Sequence, residues 1–272
     1  MIVFPNCKIN FGLHILQKRA DGFHDLETVF YPIALQDAFE IVQSSSPAAT
    51  IQFNTTGLKI DSSIEENICF KAYQLLKKDF PELPSVKMHL HKVIPSGAGL
   101  GGGSSDGAFT LMLLNKKFTL GLSEVELINY ALQLGSDCPF FIKNRPCYAT
   151  GRGERLEEIE LDLSHYKIVL VNPQIQIHTG KAFSKITPSN QRRSIKETIQ
   201  QPISKWKDLL NNDFEKLVFA EHPEIKTIKE ELYKQGAVYA AMSGSGSSVY
   251  GLFEKDTQLQ FHFPEYYFIR QL

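Results

Sequence analysis

The alternation of apolar and polar residues along the chain predicts short strands and well-bounded helices. Between Ser85 and Ile94, apolar side chains at every second position alternate with lysine and histidine, which is the pattern of a half-buried strand. Apolar residues at helical spacing predict helices over Ser63–Asp79, Ser123–Leu134, Thr179–Ile186, Ser194–Gln200 and Pro223–Gln235. Further strands are predicted from Tyr166 onwards and on both sides of residues 243–247.

Capping residues and glycines mark the predicted ends of several of these helices. Ser123 with Glu126, and Ser194 with Glu197, have the spacing of capping boxes, in which each side chain caps the other's backbone. Gly135 is predicted to end one helix in the left-handed conformation, and Gly236 to end another. Strands and helices do not alternate strictly, so the pattern favours an α+β fold over a doubly wound sheet. We predict two domains, residues 1–155 and 156–272.

The predicted strand leads directly into a glycine-rich loop. Residues 95–106 read P-S-G-A-G-L-G-G-G-S-S-D, and the apolar, helix-forming residues 108–114 follow. Glycine permits backbone conformations in which several N–H groups converge on an anion, and a helix N-terminus adds its dipole. Ser104, Ser105 or Asp106 is available as the N-cap of that helix. A strand, a glycine loop and a helix start together predict a phosphate-binding site.

Three common nucleotide-binding families are disfavoured. Residues 97–102 satisfy G-x-G-x-x-G, but Glu124 and Glu126, at the distance where a dinucleotide fold places a ribose-binding carboxylate, belong to a helix start. The Gly-Lys-Ser/Thr of a Walker A loop is missing. So are the His-Arg-Asp and Asp-Phe-Gly of protein kinases.

Composition and charge limit the class of protein. The chain has 272 residues, 43% hydrophobic and 22% charged, which is typical of a globular protein. A formal net charge of -1 gives no long-range attraction for nucleic acid or an anionic membrane. The four cysteines are widely spaced, which indicates neither a zinc site nor a disulfide framework, and Cys138 is interpreted as a packing residue. Without a signal peptide or an apolar run of ~20 residues, we expect a cytoplasmic protein.

Four further segments have residues suited to chemistry, and each has a purely structural alternative. Lys8 and Asn10 share one face of a predicted strand, as a solvated lysine would also do. Residues 18–24, K-R-A-D-G-F-H, form either an ordinary charged hairpin turn or a loop for a polar ligand. Asp137, after a helix end, is either an N-cap or a carboxylate that accepts a proton. The second glycine-serine loop, residues 243–248, is either a plain hairpin turn or a cover over phosphates.

These segments, in this order, resemble those of the GHMP kinase superfamily, the galacto-, homoserine, mevalonate and phosphomevalonate kinases. Within it, residues 8–30, 97–106 and 135–141 resemble most closely the kinases that act on a cytidine-diphosphate-linked methylerythritol. The resemblance extends from Phe4 to about Phe253. It implies an N-terminal domain like the second domain of ribosomal protein S5, a ferredoxin-like C-terminal domain, and an ATP- and Mg²⁺-dependent phosphorylation of a small-molecule 2-hydroxyl.

The resemblance also implies roles for individual residues. Lys8 and Asp137 match the catalytic pair, with Asp137 accepting the hydroxyl proton. The ATP-binding residues would be Pro95, Ser96, Gly97, Ala98, Gly99, Leu100, Gly101, Gly102, Gly103, Ser104 and Ser105, with Ser104 or Ser105 as a Mg²⁺ ligand. The substrate-binding residues would be Asn10, Phe23, His24 and Phe183, and the third glycine motif would be Gly244 and Gly246.

One departure from the family pattern affects the nucleobase contacts. Phe23 stands where tyrosine is frequent, which keeps the stacking ring and loses the phenol hydroxyl. Two other functions remain open at this point. They are phosphorylation of mevalonate, phosphomevalonate or homoserine, and a nucleotide-binding protein of the same fold without activity.

Overall fold

The structure is a computed structural model that describes residues 1–44, 51–60 and 63–272. The strands in this part of the chain are β1 (Ile2–Val3), β2 (Asn6–Lys18), β3 (His24–Gln36), β4 (Ala38–Gln43), β5 (Gln52–Gly57), β6 (Val86–Lys92), β7 (Cys147–Thr150), β8 (Arg155–Glu158), β9 (Tyr166–Asn172), β10 (Tyr239–Met242), β11 (Val249–Glu254) and β12 (Phe268–Gln271).

The helices of the same residues complete the α+β architecture. They are α1 (Ile68–Asp79), α2 (Gly102–Phe118), α3 (Glu124–Leu134), α4 (Cys138–Lys143), α5 (Thr179–Lys185), α6 (Ile195–Thr198), α7 (Trp206–Leu209), α8 (Asp213–Glu221) and α9 (Pro223–Lys234), with a 3₁₀ turn at Ile203–Lys205.

The chain forms two compact units that are each built from several stretches of sequence. Unit 1 comprises residues 1–7, 34–96 and 101–145, and unit 2 comprises residues 8–33, 97–100 and 146–272. The predicted domain boundary near residue 155 stays a prediction, and the two units are described separately below.

The described residues of unit 1 form one mixed sheet and four helices. The strand order is β1-β4-β6-β5, with β5 parallel to β6 and the other pairs antiparallel. Helices α1 to α4 pack against one another. The predicted alternation in β6 is confirmed, since Val86, Met88 and Leu90 are buried and the lysine and histidines between them are exposed.

The last residue of β6 carries a charge into the interior of unit 1. Lys92 is 2% exposed, and its Nζ lies 2.5 Å from Asp37 Oδ2 and 2.8 Å from Asp106 Oδ2. The second oxygen of Asp37 accepts hydrogen bonds from the backbone N–H groups of Val93 and Ile94. One ammonium therefore joins the end of β6, the start of β4 and the second turn of α2.

Burial and charge act in opposite directions on this cluster. Burial alone would lower the pKa of Lys92, but the carboxylates of Asp106 and Asp37 outweigh it and raise that pKa. Burial, opposed by Lys92 and assisted by the charge of Asp37, raises the pKa of Asp106 to about 7. The ammonium is thus the group that makes two buried carboxyl groups tolerable side by side.

Unit 2 contains two sheets. One has the order β2-β3-β7-β8, and the other, antiparallel throughout, has the order β10-β11-β9-β12. Apolar residues of β2, β9, β11, α8 and α9 form a continuous core. Phe11 adds an aromatic cluster with Trp206, Tyr239 and Tyr250, whose ring centroids lie 5.2 to 6.0 Å from its own.

Several helix boundaries differ from their predictions for local reasons. Helix α1 begins at Ile68 rather than Ser63, because Asn67 caps it through the N–H of Cys69. The capping box at Ser123 is confirmed. Gly135 ends α3 as predicted, but its φ of 170° is extended backbone and not the left-handed conformation.

The predicted capping box at Ser194 is wrong. The Ser194 hydroxyl accepts from the N–H of Lys196 and donates to Glu27 Oε2 at 2.8 Å, while Glu197 pairs with Arg193. The box does not form because the buried carboxylate of Glu27 accepts hydrogen bonds from the Ser194 hydroxyl and from the N–H of Ile195.

Glu27 is the centre of a hydrogen-bond network in unit 2. Its carboxylate accepts from His14 Nδ1 at 2.9 Å, Tyr148 Oη at 2.6 Å, Ser194 Oγ at 2.8 Å and the N–H of Ile195 at 3.1 Å. Burial opposes ionisation, but these donors outweigh it and lower the pKa of Glu27 to about 2. The network attaches α6 to β2, β3 and β7.

We predict that Lys92→Met lowers the free energy of unfolding by about 3–5 kcal/mol, because it leaves two buried carboxyl groups without their cation. Lys87→Met, an exposed lysine of the same strand, is the matched control and changes it by less than about 0.5 kcal/mol. Urea denaturation at pH 7 and pH 5 measures both. The loss in Lys92→Met should shrink at pH 5, because the carboxyl group of Asp106, with a pKa already raised to about 7, takes up a proton there. Equal losses in the two variants would contradict the interpretation.

We also predict that Glu27→Gln destabilises the protein in a pH-dependent manner. The folded-state pKa of about 2 lies below the usual 4.5, so the contribution of the carboxylate is fully present above pH 4.5 and is lost as the pH falls towards 2. At pH 7 the variant should be less stable by about 1.5–3 kcal/mol, and the gap should close below pH 4. Glu157→Gln is the control, because it removes the exposed ion pair between Glu157 of β8 and Lys196 of α6. It should lower the free energy of unfolding by less than about 1 kcal/mol. A gap that does not depend on pH would show that the charge of Glu27 is irrelevant.

Candidate active site

Lys8 lies in β2, a strand that is buried along most of its length. Its side chain is 3% exposed, and Nζ donates to Asn10 Oδ1 at 2.5 Å and to the carbonyl of Gly99 at 3.1 Å. Nζ also lies 5.1 Å from the ring centre of Phe30, within the range of a cation–π contact. Lys8 is therefore not a solvated surface lysine. A buried ammonium that oxygen atoms hold in place has a fixed position.

Asn10 is held from several sides within unit 2. Its Nδ2 donates to Thr28 Oγ1 at 3.0 Å, and its backbone carbonyl accepts from Tyr250 Oη at 2.6 Å. Ser243 Oγ lies 3.4 Å from Asn10 Oδ1 and donates to the carbonyl of Gly99 at 2.8 Å. The predicted common face of Lys8 and Asn10 is confirmed by their direct hydrogen bond.

Residues 19–23 form the hairpin turn between β2 and β3. The N–H of Arg19 donates to the carbonyl of Phe23 at 2.8 Å, and Gly22 has a φ of 85°. Arg19 pairs with Asp21 at 3.1 Å and with Asp25 at 2.8 Å, so the charged residues of the turn neutralise one another. Phe23 is 52% exposed, with the guanidinium of Arg152 4.8 Å from its ring centre.

His24 and Phe183 lie face to face in unit 2. Their ring centroids are 5.2 Å apart with an interplanar angle of 26°, and Phe214 supports Phe183 in an edge contact at 4.9 Å. Burial, assisted by the charge of Lys18, lowers the pKa of His24, so the imidazole is neutral at physiological pH. Two of the predicted substrate residues, distant in the sequence, are thereby brought together as a pair of stacked rings.

The start of α2 differs from its prediction. The helix begins at Gly102, and its N-cap is Gly101, which has a φ of 69° and makes no side-chain capping bond. Ser104, Ser105 and Asp106 were predicted as N-cap candidates and lie instead inside the first two turns. Because glycine adopts the left-handed conformation at little cost, Gly101 can be the N-cap, and the helix begins before the serines. The N–H groups of the first turn are therefore not taken by a side-chain cap, as an anion site requires.

The two serines of this helix differ in exposure. Ser105 is 0% exposed, and its Oγ has no hydrogen-bond partner among the described residues. Ser104 is partly exposed, and its hydroxyl bonds to the thiol of Cys138. Burial, first of all, raises the pKa of Cys138 to about 12, which fits the predicted packing role and not that of a nucleophile.

The second glycine loop joins β10 to β11 and packs on residues 97–100 within unit 2. Ser248 N–H donates to the carbonyl of Ala98 at 3.1 Å, and a Cβ at Gly99 would lie 2.0 Å from the carbonyl oxygen of Ser243. Asn212 Nδ2 donates to the carbonyls of Met242 and Gly244, both at 2.8 Å. The third-motif glycines, Gly244 and Gly246, have φ values of 56° and 96°.

Asp137 occupies the N-cap position of α4 in unit 1. Its side chain makes no capping hydrogen bond, it is half-buried, and Pro139 follows at the helix start. The carboxylate is therefore not used as an N-cap. Lys8 belongs to unit 2 and Asp137 to unit 1.

Sequence reasoning missed several residues that hold these groups in place. Lys92 had a readable signal, because it continues the buried positions of β6 at every second residue. Thr28, Asn212 and Tyr250 had none, since their partners lie 18 to 240 residues away in the sequence.

No helix among the described residues is long and apolar enough to cross a membrane.

Two family models match the chain. The model for the GHMP kinases N terminal domain matches residues 67–145, and that for the GHMP kinases C terminal domain matches residues 194–262. The chain is 53% identical over 259 residues to the 4-diphosphocytidyl-2-C-methyl-D-erythritol kinase of Bacteroides thetaiotaomicron, a match that covers 95% of this chain and 94% of the relative.

Solved structures agree with this relationship. A crystal structure of 4-(cytidine 5'-diphospho)-2C-methyl-D-erythritol kinase superposes with a TM-score of 0.79 at 30% identity, covering 93% of this chain and 90% of the other. The mevalonate kinase of Methanococcus jannaschii, at 16% identity, gives a TM-score of 0.70 with 94% and 92% coverage and shares the fold. The predicted α+β, two-domain GHMP kinase fold is confirmed.

We predict that Gly99→Ala disrupts the contact between the two glycine loops. A Cβ at 2.0 Å from a backbone oxygen forces a shift, and the φ of 77° is unfavourable for alanine. The free energy of unfolding should fall by about 2 kcal/mol or more. Gly103→Ala is the control, because a Cβ there meets nothing within 4 Å and alanine favours a helix, so stability should stay level or rise by up to about 1 kcal/mol. Thermal unfolding of the two variants measures the contrast; an undamaged Gly99→Ala would mean that the loops do not pack as described.

Proposed function

Because the chain belongs to the 4-diphosphocytidyl-2-C-methyl-D-erythritol kinases of the GHMP superfamily, we propose that it phosphorylates the 2-hydroxyl of 4-diphosphocytidyl-2-C-methyl-D-erythritol with ATP. This reaction belongs to the non-mevalonate synthesis of isoprenoid precursors. The observation that carries the proposal is the identity of about half of all positions over 95% of the chain with a kinase of that name. We propose the cytoplasm as its location.

The stacked pair of His24 and Phe183 supports the cytidyl part of the proposal. A neutral imidazole has one donor and one acceptor nitrogen, which suit the edge of a cytosine ring, and a phenylalanine ring offers a stacking face. Phe23, the exposed residue that precedes His24, offers a second ring. Small acceptors such as mevalonate or homoserine have no ring for these side chains to stack on.

The glycine loop, residues 95–105, supports the use of ATP. No side chain caps the N–H groups at the start of α2. The N-terminus of such a helix stabilises the negative charge of a phosphate. The close packing of residues 97–100 on the loop at 243–248 fixes the backbone of the segment. GHMP kinases use ATP, and the proposal assigns its phosphates to this loop.

The serines of α2 suit a Mg²⁺ ion bound with the nucleotide. Mg²⁺ prefers oxygen ligands and retains several water molecules, so its ligand needs an accessible side chain. Ser104 is partly exposed and Ser105 is fully enclosed, which favours Ser104 of the two predicted ligands. When bound, Mg²⁺ neutralises charge on the phosphate oxygens.

Lys8 and Asp137 are proposed as the catalytic pair. The 2-hydroxyl oxygen forms a bond to the γ-phosphorus as the bond to the β-γ bridging oxygen breaks and ADP leaves. The hydroxyl proton passes to the carboxylate of Asp137, and the ammonium of Lys8 keeps its own proton and offsets negative charge. Held by Asn10 and Gly99, Lys8 supplies that charge without reorganisation.

The experiment that tests the function is ATP consumption by the purified protein with the cytidyl methylerythritol substrate, beside mevalonate, phosphomevalonate and homoserine. We expect turnover with the cytidyl compound alone. Turnover with a small acceptor instead would retain the kinase and overturn the role of the aromatic residues. ATP binding without turnover of any acceptor would support the inactive nucleotide-binding protein.

We predict that Asp137→Asn lowers kcat by at least ~100-fold, the lower range for loss of a general base, and changes the dissociation constant of ATP by less than about threefold. Asparagine keeps the shape and cannot accept the proton. Asp162→Asn, which changes an exposed carboxylate in the middle of the β8–β9 connection, is the control and should stay within about twofold of wild type. Steady-state kinetics and ATP titration provide both numbers. Near-normal turnover of Asp137→Asn would remove that residue from the mechanism.

A further inference from the structure

Thr28 forms two hydrogen bonds beneath the Lys8–Asn10 pair. It lies in β3 and is 0% exposed. Its Oγ1 accepts from Asn10 Nδ2 at 3.0 Å and donates to the backbone carbonyl of Gly12 at 2.5 Å. A hydroxyl has one hydrogen to donate, and the carbonyl of Gly12 can only accept it, so Thr28 Oγ1 can only accept from Asn10, whose NH₂ group faces it.

We propose that Thr28 is a positioning residue for phosphoryl transfer, which acts by orienting the side-chain amide of Asn10 towards Lys8. The inference rests on the proposed function, in which Lys8 supplies positive charge to the reaction. With Nδ2 bound to Thr28, the opposite side of the amide, Oδ1, faces the ammonium at 2.5 Å. Gly12 carbonyl, Thr28, Asn10 and Lys8 thus form one continuous series of hydrogen bonds.

The orientation of this amide has a direct electrostatic consequence. If the amide of Asn10 rotated by half a turn, its NH₂ group would face the ammonium of Lys8, and two donors would oppose each other. Ser243 Oγ, 3.4 Å from Oδ1, and Tyr250 Oη, bound to the backbone carbonyl, hold Asn10 from other directions but leave Nδ2 to Thr28. Thr28 is therefore the partner that distinguishes the two orientations through the NH₂ group.

Two substitutions separate positioning from packing. Thr28→Val keeps the size and branching of the side chain and removes the hydroxyl, which takes away the acceptor of the Asn10 NH₂ and one donor to the carbonyl of Gly12 in a buried place. Thr28→Ser keeps the hydroxyl and removes a methyl group, so it opens a small cavity and leaves the hydrogen bonds possible. A purely structural role would make both variants less stable with little effect on kcat.

The test compares these variants with wild type at a temperature well below all their unfolding transitions. Leaving a buried polar group without its hydrogen bond changes an equilibrium constant or a rate about tenfold. Thr28→Val should therefore lower kcat about tenfold and keep the KM for ATP within about twofold of wild type. Thr28→Ser should restore kcat to within about threefold of wild type. In an Asn10→Ala background, Thr28→Val should have no further effect on kcat, because its route through Asn10 is gone. Thr28→Cys, a weak hydrogen-bonding side chain of similar size, replaces Thr28→Val if the latter does not fold.

A second measurement does not depend on the acceptor substrate. Reductive methylation with formaldehyde, followed by mass spectrometry, reports the rate at which Lys8 is labelled, with exposed Lys87 as the internal reference. Lys8 should label faster in Thr28→Val and at the wild-type rate in Thr28→Ser. Wild type without turnover of the cytidyl substrate would refute the proposed function, while the labelling still decides on Thr28. Unchanged labelling and kcat in Thr28→Val, or equal losses of kcat in the valine and serine variants, would overturn the role of Thr28.

Discussion

The buried cluster of Lys92, Asp37 and Asp106 is the constraint on which the glycine loop depends. A loop with five glycines between residues 95 and 105 has little conformational preference of its own, so its ends must be fixed from outside. Asp37 binds the backbone N–H groups of Val93 and Ile94 just before the loop, and Lys92 joins that carboxylate to Asp106 in the helix that follows it. An ion cluster at this depth contributes little net stability compared with apolar packing, but its geometry is restrictive because every alternative leaves a charge unpaired. Within unit 1, this electrostatic cost fixes the residues just before the loop and the helix that follows it.

Unit 2 applies the same principle to its own polar residues. Strand β2 is buried on both faces, yet it carries Lys8 and Asn10 among isoleucine, phenylalanine and leucine. Burying an ammonium is unfavourable unless oxygen atoms accept its hydrogen bonds, as Asn10 Oδ1 and the carbonyl of Gly99 do here. The Thr28 hydroxyl in turn holds Asn10. Each group in the series is positioned by the next, so the ammonium has little freedom left. A strand selected only for packing would have no reason to bear this cost.

Local patterns in the sequence predicted the elements better than the groups that connect them. The alternation in β6 and the capping box at Ser123 depend on neighbouring residues and are confirmed. The hairpin turn at residues 19–23 is one of the two alternatives that the sequence left open for that segment. The start of α2 and the cap at Ser194 were mispredicted, because Gly101 and Glu27, respectively, decide them through conformation and through long-range hydrogen bonds. Family resemblance named Lys8, His24 and Phe183, but neither pattern nor resemblance identified Thr28, whose importance lies in contacts with residues on another strand.

The hairpin at residues 18–24 shows how the charged residues of a segment can be distinguished from those left for a ligand. Arg19 is engaged by Asp21 and Asp25, and Gln17 also donates to Asp25, so the ionic groups stabilise the turn itself. The two aromatic residues remain, Phe23 at the surface under the guanidinium of Arg152 and His24 stacked on Phe183. The guanidinium orders an exposed ring that has no hydroxyl to anchor it, through a contact worth about 0.5–1 kcal/mol. The segment is therefore a charge-paired turn that fixes the positions of two aromatic rings, and the proposed function assigns these rings to the nucleobase.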